Sequence, residues 1–171
     1  MVELWDILDE NGNSTGRLHE RGKPMRRGEY HLVVHVWVMN SKGEFLISRR
    51  SEDRGHKWHT TGGAAVIGDD SFSTALKETR EEIGVKLDPQ KGVFFKRFKW
   101  PRVQDEGGFL TDVWLFRQDV DINETVLQVE EVCDIMWADR EKIMQMVDEG
   151  IFVTLSHWYP YLDEFLSFCE D

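Results

Sequence analysis

The chain has 171 residues, 40% of them hydrophobic, with seven Trp and ten Phe. That is too much large apolar surface for a disordered chain, and the length suits one domain over residues 1–171 better than two. Thirty-two acidic against 21 basic residues leave a formal charge of −11, which repels phosphate backbones and argues against a nucleic-acid polymer as partner.

No apolar run approaches the roughly 18 residues a membrane-spanning helix needs, so no membrane association is expected. Glu3 and Asp6 near the start leave no basic and apolar leader, and no signal peptide is expected. Cys133 and Cys169 form neither a metal-type spacing nor a disulfide framework. Reduced thiols in a cytoplasmic protein are the expectation.

Residues 3–9 read as a short strand ending in the turn cluster Glu10-Asn11-Gly12-Asn13. Residues 31–39, rich in Val and Trp, form a buried strand. Asn40-Ser41-Lys42-Gly43 then makes a hairpin turn into a strand over 44–50. A polar stretch at 52–57 precedes Trp58 and a glycine-rich segment from Gly62 to Gly68. The spacing of Phe72, Ala75, Thr79 and Ile83 predicts a helix over 71–83, with Ser71 as N-cap and Gly84 as its stop. Strands are expected at 93–99, 109–117 and 132–137, and closing helices at 139–149 and 156–168. The order predicts an α+β fold, an α/β/α sandwich around a mixed β-sheet.

The helix over 71–83 carries the chemistry. Glu78, Glu81 and Glu82 stand at i, i+3 and i+4, so their carboxylates converge on one patch beside the apolar face. Acidic clusters on helices are most often solvated faces. Here Gly62, Gly63 and Gly68 lead into the helix, and such glycines let backbone approach a ligand closely. Close carboxylates repel and raise one another's pKa unless a cation sits among them. Mg²⁺ or Mn²⁺ with oxygen ligands relieves that conflict.

With these residues in place, the segment resembles the Nudix box, G-x5-E-x7-R-E-U-x-E-E-x-G-U with U a bulky aliphatic. Six of its nine fixed positions match: Gly63, Glu78, Glu81, Glu82, Gly84 and Val85. Asp69 for Glu and Lys77 for Arg keep their charge. Thr79 replaces the aliphatic on the core face, where its hydroxyl is expected to bond back to the Ala75 carbonyl. The resemblance implies a Nudix-like fold and metal-assisted attack of water on phosphorus in a small-molecule diphosphate, a nucleoside diphosphate linked to X or a related compound. It implies Glu81 and Glu82 as metal ligands with the Gly62 carbonyl, Glu78 as ligand or general base, and Lys77 orienting the acids.

A base or ligand from outside the box is common in that family, and Glu131, with its neighbour Glu130, is the candidate. A solvated pair at a strand edge is the competing reading. Arg49 and Arg50 end the strand before the box; adjacent strand residues point to opposite faces, so one of them is expected to grip a phosphate. Trp58 and Trp158 are candidate substrate contacts. The stretch 100–109, with Arg102, Asp105 and Glu106, reads as a loop near the site.

Tyr30-His31-Leu32, Trp37, Asn40, Gly43, Arg49 and Arg50 also resemble the isopentenyl diphosphate isomerases, a branch of the same superfamily, with a weaker likeness at Ser156-His157-Trp158. Those enzymes rely on a Cys and a metal-binding His shortly after the residue matching Trp58. This chain has Gly62-Gly63-Ala64-Ala65-Val66 there, with neither thiol nor imidazole. His31 and His35, at i and i+4 on one strand face, are read as core histidines, although the isomerase counterpart of His31 binds metal. A third reading is a Nudix-like binding module without turnover. Against it, three mutually repelling carboxylates serve no purpose in such a module. A homodimer is compatible with the exposed strand edges of this fold class.

Overall fold

The computed structural model describes residues 2–100, 107–153 and 159–170. Nine strands form one mixed sheet in the order they follow along the chain: β1 (Leu4–Leu8), β2 (Ser14–Glu20), β3 (Tyr30–Met39), β4 (Phe45–Arg50), β5 (Trp58–His59), β6 (Thr61–Ala64), β7 (Gly92–Trp100), β8 (Gly108–Arg117) and β9 (Val132–Ala138). Three helices complete it: α1 (Ser71–Ile83), α2 (Arg140–Asp148) and α3 (Leu162–Glu170).

The long strand β3 organises the sheet. Along one side it pairs in parallel with β8 through its whole length. Along the other it meets β1 at Tyr30, β6 from Val33 to Val36 and β4 only at Met39. Strand β4 then diverges to pair with β9 and β5. Side chains alternate across a strand. Val34, Val36 and Val38 therefore enter a core under α1, with Ala75, Ile83, Leu46 and Phe116. Trp37 and Met39 enter a second core under α2 and α3, with Ile143, Leu162, Phe165 and Leu166. Helices thus cover both faces of the sheet, and the α+β sandwich is the observed fold.

Helix α1 starts one residue before the expected cap. Asp70, not Ser71, is the N-cap: its carboxylate accepts from the Ser73 N–H at 2.7 Å, and the Ser73 hydroxyl accepts from the Asp70 N–H at 3.0 Å. This reciprocal pair fixes the helix origin, and Ser71 is freed to accept the Trp114 indole N–H at 2.8 Å. Gly84 ends the helix at φ 71°, a left-handed conformation that a side chain strains. The Thr79 hydroxyl donates to the Ala75 carbonyl at 2.8 Å, as its core position demands.

Three elements depart from expectation. Strand β2 is unannounced in the sequence because Ser14–Glu20 is almost entirely exposed and carries no apolar alternation. The glycine-rich segment begins as strand β6, bonded to β3, since glycine leaves room for close backbone approach. The last helix begins at Leu162 rather than 156; residues 154–158 lie outside the described residues.

Candidate active site

Where β3 parts from β4, a cavity of about 540 Å³ opens against the carboxylate side of α1. Glu78, Glu81 and Glu82 line it together with Gly62, Gly63 and Lys77. Gly63 is constrained by contact: a Cβ there would overlap the Glu78 carboxylate. Glu82 is only 4% exposed, and its sole hydrogen bond among the described residues is a long one, 3.4 Å, from the Gly62 N–H. No hydrogen bond to the Glu78 carboxylate is formed among them.

These acids are under electrostatic stress. Burial, then the neighbouring Glu81, pushes Glu78 up to about 7, with Lys77 pulling the other way. Burial, then Glu78 and Glu131, pushes Glu82 up to about 8 against the Gly62 N–H and Arg50. Oxygen donors crowded in this way, with few protein donors to quiet them, suit a hard divalent cation. The donor set therefore fits Mg²⁺ or Mn²⁺. Among the described residues no three such groups are already closed around a single point, so the carboxylates would have to turn inward to hold an ion.

The segment that supplies Glu131 is tied to α1 by the Gln128 N–H, which donates to the Glu82 carbonyl at 2.8 Å. Glu131 lines the cavity and accepts from Arg54 at 3.0 Å. Glu130 does not reach it; that side chain is exposed, and only its carbonyl is engaged, by the Ser51 hydroxyl. Lys77 pairs with Asp69 at 3.2 Å rather than with Glu81 one helical turn on. Burial disfavours the Lys77 charge, yet Asp69, Glu81 and Glu78 together hold its pKa above the ordinary value.

Arg50 faces the cavity, and among the described residues it is in no ion pair. Arg49 turns to the other side. Its Nε donates to the His56 carbonyl at 3.3 Å and its guanidinium lies 5.9 Å from the Trp58 ring centre. Trp58 itself is 8% exposed within the second core, bridged to Phe152, and is absent from the cavity wall; its neighbour His59 lines it instead. Trp158, Arg102, Asp105 and Glu106 lie outside the described residues.

The wall facing α1 is imidazole and phenol. His31 and His35 are buried, as a core reading requires, yet both line the cavity. His35 Nδ1 lies 2.7 Å from the Tyr161 hydroxyl, His59 Nε2 lies 3.2 Å from the Ser48 hydroxyl, and the Thr60 N–H donates to the Tyr159 hydroxyl at 3.2 Å. Burial and then His59 depress His35 to about 3; burial and then Arg50 depress His59 to about 3. Both imidazoles are neutral at physiological pH. Sequence reasoning also missed Glu3, Trp5, Arg21 and Arg54, all in the cavity wall. No local pattern marks them; the first three arrive through the β1–β2 hairpin.

The NUDIX domain family matches residues 29–160. The chain belongs to the Nudix family. It is 35% identical over 158 residues to an uncharacterized Nudix hydrolase of Listeria innocua, covering 89% of each chain. It is 24% identical over 152 residues to the isopentenyl-diphosphate Delta-isomerase of Escherichia coli, covering 83% of this chain and 80% of that one. The crystal structure of the DR0079 protein of Deinococcus radiodurans superposes with a TM-score of 0.73 at 20% identity, over 99% of this chain and all of the other, and shows the shared fold. Family membership makes this Nudix chain a hydrolase of the pyrophosphatase type.

Proposed function

We propose that this Nudix enzyme hydrolyses a diphosphate linkage in a small molecule with the help of Mg²⁺ or Mn²⁺. The observation that carries the reading is the gathering of Glu78, Glu81, Glu82 and Glu131 in one cavity, with Glu78 and Glu82 both held toward protonation. A binding module has no use for that conflict. The isomerase reading lacks its thiol: Cys133 is exposed, Cys169 is packed in the second core, and neither lines the cavity.

Glu81 and Glu82 are assigned as the principal ligands, with Glu78 and Gly62 beside them. The bound ion would lower the pKa of the attacking water and offset charge on the phosphoryl oxygens. Glu131, on a segment separate from α1 and oriented by Arg54, takes the proton of the water whose oxygen attacks phosphorus. The bridging P–O bond breaks and its electron pair leaves with the departing phosphate. Arg50 neutralises a non-bridging oxygen, and Lys77 with Asp69 fixes the helix face that presents the acids. Two free thiols and the lack, among the described residues, of any helix long and apolar enough to cross a membrane are in keeping with a cytoplasmic enzyme.

The test is phosphate release from a panel of diphosphates with Mg²⁺ or Mn²⁺, comparing the wild type with Glu81→Gln. Metal-dependent turnover that the variant loses is expected. Turnover indifferent to both metal and Glu81 would sink the assignment.

A further inference from the structure

One end of the cavity is carboxylate; the other is made of rings. Trp5 on β1 lies nearly flat on His31 of β3, with centroids 4.2 Å apart and planes 18° from parallel. Phe109 of β8 stands 5.8 Å beyond His31. All three line the cavity, and Trp5 and His31 also line a smaller neighbouring one of about 270 Å³. The stack is therefore a partition with open space on both sides rather than part of either core.

The indole is held in place deliberately. Its N–H donates to Glu3 at 2.8 Å, and the other oxygen of Glu3 accepts from Arg21 at 2.8 Å. Strand β1 is in turn bonded to the loop that leads into α1. The Ile67 N–H donates to the Leu4 carbonyl and the Gly68 N–H to the Asp6 carboxylate, both at 2.8 Å. Ring surface and carboxylate patch are thus set at a fixed offset by one shared segment. Trp5, Glu3 and Arg21 all precede residue 29, outside the stretch that the family matches.

We propose that Trp5, with His31 and Phe109, is the subsite for a planar heteroaromatic ring carried by the substrate. This rests on the hydrolase reading for the diphosphate end. Flat ring faces in a fixed stack reward a flat ligand, which gains dispersion over its whole face; a flexible aliphatic tail gains less and loses rotamer freedom. A stack that merely glued the hairpin to the sheet would have no preference among ligands.

The experiment uses the full chain carrying Glu81→Gln, so that bound compounds persist, with Mg²⁺ present. Calorimetry measures affinity for ADP and CDP, which carry a ring, and for methyl diphosphate, which does not. At least one nucleotide is expected to bind about tenfold or more tightly than methyl diphosphate, since truncating a stacked base partner typically loses about 5- to 100-fold. Trp5→Ala should collapse that ratio and Trp5→Phe should restore most of it. If Trp5→Ala fails to fold, Trp5→Leu, apolar but not flat, gives the same reading. Equal binding of ring-bearing and ring-free compounds in the parent, or a ratio unmoved by Trp5→Ala, overturns the proposal. Absence of turnover in the wild type on every diphosphate would sink the hydrolase reading alone and leave the binding ratio to judge this one.

Discussion

The two walls of the cavity are both buried and both titratable, yet they are built on opposite principles. On the imidazole wall each polar group finds its partner within the protein: His35 on Tyr161, His59 on Ser48, the Thr60 N–H on Tyr159. On the α1 wall Glu82 has one long bond and Glu78 none among the described residues. Buried polar groups are normally satisfied, because an unmet one costs about 1–3 kcal/mol. A wall that leaves its valences open is one whose partner comes from outside. The difference separates structure from chemistry within a single cavity.

The sharpest way to break the contrast is Glu82→Gln. If Glu82 is a ligand for the ion, activity falls about 10³-fold, a loss on the order of 4 kcal/mol in transition-state stabilisation. The same change removes an unfavourable buried charge, so the metal-free protein should melt no lower than wild type at pH 8. A metal-free variant that melts several degrees lower would show that Glu82 is a structural acid.

A pH series on metal-free protein reads both walls at once. Glu78 and Glu82, raised to about 7 and about 8 from 4.5, contribute stability that is complete below 4.5 and is lost as pH rises through 7 and 8. His35 and His59, lowered to about 3 from 6.5, contribute stability that is complete above 6.5 and is lost as pH falls toward 3. Between 4.5 and 6.5 the two slopes oppose. Urea unfolding in EDTA should therefore show a broad maximum near there and a decline toward pH 8.5 on the order of a few kcal/mol. Added Mg²⁺, which favours the ionised carboxylates, should remove the alkaline decline. Protein in EDTA as stable at pH 8.5 as at 5.5 would contradict the stress assigned to α1.

The imidazole wall answers to a different variant. Tyr161→Phe removes the hydroxyl that partners His35 and that accepts the Trp37 indole N–H at 3.2 Å. Stability should fall by about 1–3 kcal/mol, with kcat unchanged within about twofold. A loss of kcat without loss of stability would move that wall into the chemistry.

Much of this contrast was legible in the residues. The glutamate spacing, the glycines before α1, Gly84 and the Thr79 back-bond all follow from local rules. What failed was parity. Arg49 and Arg50, Glu130 and Glu131, and Trp58 and His59 are neighbours of which only the second faces the cavity. Alternation says that one of each pair must, but the choice is made by where β4 meets β5 and β9, a register set by pairing across the sheet. The Asp70 cap was missed by one residue because Asp70 and Ser71 are both good caps and the reciprocal bond from Ser73 decides between them. Strand β2 and the Trp5 stack have no local signal at all, since their reason lies in residues brought from β3 and β8.

The smallest expected effect concerns Lys77, where the sequence departs from the family's Arg. Its ammonium pairs with Asp69, at 39% and 29% side-chain exposure, so the pair itself contributes no more than about 1 kcal/mol to stability. Its value lies in direction. A point charge engages one acid at a time, and here it has chosen Asp69 over Glu81, leaving Glu81 without that tether. The planar fork of Arg can span two carboxylates. Lys77→Arg should therefore raise kcat by about two- to fivefold while moving the melting temperature by less than about 2 °C, measured on whichever diphosphate the panel reveals. A Lys77→Arg enzyme with lower kcat would mean that the Asp69 pairing, not tighter tethering of Glu81, is what this site needs.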